Sequence, residues 1–327
     1  KTSTSLVLEG MISMLFTAFP PVFGVFYSIA PKNAHVNNFK FLGNILKGIR
    51  LFKWYNAYDK TIGGISPAGD SMLIKEYVKD NLTCKVFSDR DSMGRYAADQ
   101  IAAKMRELLS RQSEINMVFA AAPSQNDVLK YLAKEEVDWS RVTAFHMDEY
   151  VGLGKRSDKT FAHYLDGAIF DRVKMKAVNY IGSDGDAETL CERYERLLRE
   201  HPIDIVCLGI GENGHIAFND PHVADFQDKR AVKLVDLDEK CRRQQVNDKT
   251  FDTLEEVPKY AVTLTIPTLV SAKYMFCVVP TANKAEAVFH TMFDAVSEKV
   301  PATILRRHPH AVMFTDEDSA KALLKAQ

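Results

Sequence analysis

The stretch Ile203-Asp204-Ile205-Val206-Cys207-Leu208-Gly209-Ile210-Gly211-Glu212-Asn213-Gly214-His215-Ile216-Ala217-Phe218-Asn219-Asp220-Pro221 decides how the chain is read. Its apolar first third has the length and content of a buried strand. Its glycines then allow the backbone to turn sharply beside a ligand. Within the loop His215 and Asp220 stand five residues apart. That spacing lets a turn fold the carboxylate back onto the imidazole and fix its tautomer, which makes a pair able to move a proton.

Outward from this strand the same strand-loop-helix unit recurs. Strands are predicted at Lys85 to Phe87, Ile115 to Ala121, Val142 to Met147, Val178 to Ile181, Val232 to Leu237, Tyr260 to Thr265, Tyr274 to Val279 and Ala311 to Phe314. Helices are predicted through Tyr96 to Leu108, from Val128 to Leu132, Phe161 to Val173, Ala187 to Glu200, Lys284 to Met292, and from Glu317 onward. This alternation predicts one doubly wound α/β domain of Rossmann type, a mostly parallel sheet with helices on both faces. In such sheets ligands bind beyond the carboxyl ends of the strands. The residues at those ends are Ser124 and Gln125, Asp148 and Glu149, Gly209 to Asp220, and Thr281 to Lys284.

Composition narrows the partners. Forty-two basic and 43 acidic residues give a net charge of -1, so no global field points to nucleic acid, and a small molecule is expected. The five cysteines, Cys84, Cys191, Cys207, Cys241 and Cys277, form no C-x-x-C pair. They read as reduced thiols of a cytoplasmic protein. No metal is expected either, because His146 and Asp148-Glu149 have no second cluster at ligand spacing.

Residues 1–71 do not share the pattern. Gly10 to Pro31 is uncharged and rich in Phe, Met, Val and Ile, and three readings compete for it. A membrane anchor would be kinked by Pro20-Pro21, and a signal peptide ending near Ser28-Ile29-Ala30 would lack a basic start. The third reading is an upstream extension of a frame opening at Met72. Membrane contact is expected only if residues 10–31 are a true anchor, and residues 72–327 are expected to form the single functional domain.

The end of the Val142 strand, His146-Met147-Asp148-Glu149-Tyr150, offers Asp148 as a general base at a strand mouth; a helix cap or salt bridge is its alternative role. Lys284 opens a helix after Val278 to Asn283. A lysine there opposes the helix dipole, and an anion held by the ammonium and the backbone N–H groups would account for it.

Taken together these motifs resemble the glucosamine-6-phosphate deaminase (isomerase) family. Phe145 to Leu153 is similar to its deaminase motif, Gly209 to Pro221 to its Gly-His-Ile-x-Phe-Asn-Glu-Pro motif, and Val257 to Thr263 to its Val-Pro-x-x-Ala-x-Thr segment. The resemblance implies conversion of glucosamine 6-phosphate and water to fructose 6-phosphate and ammonia, in amino sugar catabolism and without a cofactor. It makes Asp148 the base that moves a proton between C2 and C1 through an enol-type intermediate. It gives His215 the ring opening, oriented by Asp220, with Asn213 where some members carry Asp. Lys284 matches the phosphate-binding lysine, and Glu149 is expected among the substrate contacts.

The chain departs from the family at several points. Ala122 to Asp127 lacks the glycine and Thr-Pro of the usual phosphate loop, so the side chains of Ser124 and Gln125 are expected to substitute. The family's phosphate-binding arginine aligns with Gln245, and Arg242 or Arg243 is expected to replace it. Asp220 stands where Glu is usual, and Thr265-Ile266-Pro267 where a glycine turn is usual. Two alternatives share the fold: a 6-phosphogluconolactonase-like hydrolase, disfavoured because Ile216 to Pro221 follows His215 instead of Ala-Ser-Leu-Phe-Pro, and a catalytically silent sugar-phosphate sensor. A homo-oligomer is compatible with the sequence but not specified by it.

Overall fold

The computed structural model describes residues 73–154 and 157–326. The three readings of residues 1–71 lie outside it. Among the described residues no helix is long and apolar enough to cross a membrane.

Eleven strands are described: β1 (Leu73–Lys79), β2 (Leu82–Phe87), β3 (Ile115–Phe119), β4 (Val142–His146), β5 (Asp148–Tyr150), β6 (Ala177–Asn179), β7 (Ile205–Leu208), β8 (Val232–Asp236), β9 (Tyr260–Leu264), β10 (Tyr274–Val279) and β11 (Ala311–Asp316). The helices between and after them are α1 (Arg90–Leu109), α2 (Asn126–Leu132), α3 (Phe161–Leu165), α4 (Ala187–Glu200), α5 (Glu239–Asn247), α6 (Ile266–Val270), α7 (Ala285–Phe293) and α8 (Lys321–Lys325). The main sheet has the order β1-β2-β11-β10-β7-β3-β4-β6, parallel except for the edge hairpin β1-β2.

Period-two alternation fills both faces of this sheet. On β7, Ile205 and Cys207 pack with Ile101, Met105 and Leu129 of α1 and α2, while Val206 and Leu208 pack with Tyr194 and Val288 of α4 and α7. A strand buried on both sides must be apolar throughout, which is why Ile203 to Leu208 reads so plainly in the sequence. Asp204 fits because its carboxylate accepts the Asn116 N–H and pairs with Lys273 at 2.7 Å. The helix starts follow from capping: Asp89 accepts from Ser92 N, Asp186 from Thr189 N and Asp238 from Cys241 N.

Two expectations need correction. The predicted strands at 232 and 260 do not join the main sheet; with β5 they form a separate antiparallel sheet, β5-β9-β8. Leu234 and Tyr260 are exposed on it, as suits a sheet wetted on one face. The predicted helix from Phe161 to Val173 is α helical only to Leu165 and then widens into a π turn over Asp166–Phe170, closed by Asp171 N–H to Asp166 O at 3.0 Å.

Candidate active site

Chain order reverses at β7, whose neighbours are β3 on one side and β10 on the other. The loops leaving these strands diverge there and open a cleft of about 130 Å³ beyond their carboxyl ends. Its walls carry Ser124 after β3, Asp148 after β4, Gly209, Ile210, Gly211 and His215 after β7 and Lys284 after β10.

Asp148 sits where the chain leaves one sheet for the other. Met147 N still donates to Phe119 O of the main sheet, whereas Met147 O already accepts from Leu264 of the small one. At this seam the Asp148 side chain is nearly enclosed, and among the described residues no hydrogen bond holds its carboxyl. Burial, reinforced by the neighbouring Glu149, pushes its pKa well above the usual carboxylate range. His146, two residues earlier, has a structural task. Its Nδ1–H donates to Asp148 O and its Nε2 accepts the Ile181 N–H, both at 2.9 Å, and burial lowers its pKa to about 4.

The glycine loop folds as its spacing predicts. His215 Nδ1 lies 2.9 Å from Asp220 Oδ1, although out of line for a well-formed hydrogen bond. Gly211 donates to His215 O, and a Cβ at Gly211 would fall 2.1 Å from the imidazole Cε1, so only glycine leaves room for the ring. Gly209 permits a similar approach by the β3 loop, since a Cβ there would meet the Gln125 amide at 3.0 Å. Asp220 is fully buried. Burial would raise its pKa, but the His215 charge and the polar side chains of His215, Asn213 and Cys241 around it outweigh that and hold the carboxyl below its ordinary range. Asn213 braces the pair: its Nδ2 donates to Asp220 Oδ1 at 2.8 Å and its Oδ1 accepts the His215 N–H at 3.0 Å. It does not line the cleft.

Lys284 is buried at the opposite wall, and among the described residues no carboxylate comes within ion-pair distance of it. Burial lowers its pKa against the pull of Asp248 and Glu212. Thr281, three residues before, holds φ at +78°, a strained value for a β-branched residue, and donates its N–H to Asp316.

Four expected substrate contacts are not in the cleft. The Glu149 carboxylate accepts the N–H groups of Tyr150, Phe161 and Ala162, each at 3.0 Å, so it seats the start of α3; burial raises its pKa to about 7. The Gln125 amide turns inward and donates to Val278 O, leaving only Ser124 of that pair in the wall. Arg242 binds the carbonyls of Leu254 and Val257, and Arg243 pairs with Glu239 on the exposed side of α5. From α5 and the residue after it the cleft receives Gln244, Gln245 and Asp248. A guanidinium does reach the cleft, from a residue the sequence reading passed over. Arg90 opens α1 and holds Asp127 and Pro123 O. The strand-end rule would have found it, because Arg90 follows β2 as directly as Ser124 follows β3. Equally unforeseen, Cys241 lies against Asp220.

A sequence profile described as glucosamine-6-phosphate isomerases/6-phosphogluconolactonase matches residues 88–314. The chain belongs to this family. Glucosamine-6-phosphate deaminases of Bacillus thuringiensis (strain Al Hakam) and Bacillus cereus (strain G9842) are each 33% identical to it over 217 residues, covering 66% of this chain and 80% of theirs. Among solved structures a monomeric glucosamine-6-phosphate deaminase superposes with a TM-score of 0.67 at 25% identity, over 73% of this chain and 99% of that one. The 6-phosphogluconolactonase of Thermotoga maritima shares the fold, with a TM-score of 0.59 at 24% identity, over 72% and 99%. The family match begins at Ser88 and ends at Phe314, so it takes in every wall of the cleft.

Proposed function

We propose that this chain is an amino-sugar-phosphate deaminase that converts glucosamine 6-phosphate and water to fructose 6-phosphate and ammonia. The observation that carries the reading is one cleft with a carboxyl group that no described residue hydrogen-bonds, Asp148, a carboxylate-oriented imidazole, His215, and a buried ammonium, Lys284, on its walls. Each element of the reaction has a matching group. Lys284, helped by Ser124 and Arg90, anchors the phosphate and thereby fixes the distance to the sugar carbons. The His215 imidazole delivers a proton to the ring oxygen as the hemiacetal opens, and Asp220, held by Asn213, keeps the ring oriented. Asp148 then takes the C2 proton and returns it at C1. A carboxylate whose pKa is raised by burial is the stronger base once ionised, and the cationic substrate nitrogen favours that ionised form. Water replaces the nitrogen at C2 and ammonia leaves.

A lactonase has no need of a base placed to move a proton between carbons, and a silent sensor has no need of either proton-transfer group. The reaction is hydrolytic and isomerising at once. Five buried free thiols suit a reducing cytoplasm. The test is ammonia release, coupled to fructose 6-phosphate detection, from the full chain given glucosamine 6-phosphate, galactosamine 6-phosphate or 6-phosphogluconolactone. Ammonia and ketose in equal amounts from the first substrate are expected; hydrolysis of the lactone without ammonia from either amino sugar would overturn the reading.

A further inference from the structure

The His215–Asp220 pair has a third neighbour that the proposed chemistry does not use. Asp238 caps α5 by accepting the Cys241 N–H at 2.5 Å, and this start to the helix carries the Cys241 thiol against Asp220. A ring nitrogen of His215, a carboxylate oxygen of Asp220 and Sγ of Cys241 all lie within 4.8 Å of one another, and all three residues are buried. A second observation is independent of that clustering. Asp220 is 0% exposed and its Oδ1 is held by Asn213, while among the described residues its Oδ2, and Nδ1 of His215, which lies 2.9 Å from Oδ1 but out of line, make no well-formed hydrogen bond. Buried polar atoms are nearly always satisfied, so two orphans in one nest mark a place where something else supplies the partner.

We propose that His215, Asp220 and Cys241 form a site for one borderline-soft divalent cation, zinc by its donor set, and that the ion silences the enzyme by engaging its proton-transfer pair. The silencing half rests on the function proposed above. An imidazole, a carboxylate and a thiolate are zinc ligands, and the sulfur disfavours magnesium and calcium, which take oxygen. With bonds of about 2.0–2.3 Å, a tetrahedral site needs donors roughly 3.3–3.8 Å apart. Reaching it takes small side-chain rotations, in which Nδ1 of His215 and Asp220 Oδ1, now 2.9 Å apart, open slightly and Cys241 Sγ, within 4.8 Å of both residues' donors, draws in. Asn213 on Asp220 Oδ1 is the outer support that ligating carboxylates use. On binding, the Cys241 S–H bond breaks, sulfur keeps the electron pair and donates it to zinc, and the proton passes to solvent. His215 can then no longer exchange a proton with a sugar ring.

The experiment uses the full chain, freed of metal by chelator dialysis, and reads zinc binding by competition with a chromophoric chelator while ammonia release is followed in parallel. The wild type is expected to take up one tight equivalent of zinc and lose activity, which chelator restores. Cys241→Ala is expected to bind zinc at least ~10-fold more weakly, and its activity, taken relative to its own metal-free rate, to resist inhibition. Cys241→Ser serves as the second variant, with cobalt in place of zinc: a thiolate-to-cobalt charge-transfer band in the wild type that vanishes in the serine variant supports the site. Zinc binding or inhibition unchanged in both variants overturns it. So does loss of the tight equivalent on His222→Ala with Cys241 intact, because His222 belongs to a different group of donors around Asp220. The binding titration does not depend on turnover. A metal-free protein that releases no ammonia yet loses its zinc equivalent on Cys241→Ala would refute the deaminase reading and leave the site standing.

Discussion

Replacing Lys284 with methionine separates what this residue does for the ligand from what it does for the fold. The side chain keeps its stem and loses its charge. In the free protein Lys284 is 5% exposed and among the described residues has no ion pair, so its ammonium is desolvated without a matched partner, and its pKa is lowered accordingly. When a phosphate dianion arrives, that same charge becomes a buried, charge-assisted contact. Truncating one side of such a contact costs about 2–4 kcal/mol, or roughly 30- to 1,000-fold in kcat/KM. Turnover of unphosphorylated glucosamine, slow in both proteins, should change little. The free variant should be no less stable than the wild type and up to about 1 kcal/mol more stable, since a buried unpaired charge has been removed. The pH dependence follows in sign. A lysine whose folded pKa lies below its unfolded 10.5 makes the wild type gain stability as pH rises from the folded value to 10.5, and Lys284→Met should lack that gain. Steady-state kinetics on both sugars and urea denaturation at two alkaline pH values measure all of this. Proportional losses on the two sugars would remove Lys284 from the phosphate site, and a strongly destabilised variant would mean that its charge is satisfied in the free protein.

Three further outcomes are expected. Asp148→Asn should lower kcat by about 10²- to 10⁴-fold while product affinity, measured by calorimetry with fructose 6-phosphate, stays within a few-fold; near-wild-type turnover would take the proton transfer away from Asp148. In Gly211→Ala the new methyl occupies the space of the His215 ring. Circular dichroism should remain native while activity falls at least ~100-fold, and an active variant would show that the ring position is unimportant. The raised pKa of Glu149, about 7 against an unfolded 4.5, means that its stabilising share is full below pH 4.5 and is lost as pH rises toward 7. Glu149→Gln should therefore flatten the fall in unfolding free energy across that window, by up to about 1.4 kcal/mol per pH unit. Parallel slopes for variant and wild type would sink this account, and Asp148, raised in the same direction, contributes to both.

Ser124, Asp148, His215 and Lys284 come together in the cleft because each stands within a loop's reach of an apolar strand, and strand ends converge at the switch point whatever the rest of the chain does; Asp220 reaches it only through His215. The chain changes sheets just before Glu149, and its side chain meets the backbone of α3 instead of the cleft. Arg242 and Arg243 were chosen for charge and nearness in sequence, but helical rotation turns one toward the Leu254 and Val257 carbonyls and the other to solvent. Arg90 lies more than a hundred residues from the glycine loop, and it reaches the cleft because α1 packs on α2.

By itself the sequence determined the alternation of apolar strands with capped helices, hence the parallel sheet, and the pairing of His215 with Asp220, which a five-residue turn can close. Both are short-range matters: the period of burial and the geometry of a turn act within a few residues. Only the tertiary structure decided that β5, β8 and β9 form their own sheet, that the guanidinium at the cleft is Arg90, and that Cys241 rests on Asp220. These depend on which faces of distant elements meet. That choice is made by packing the whole chain at once, and no local pattern records it.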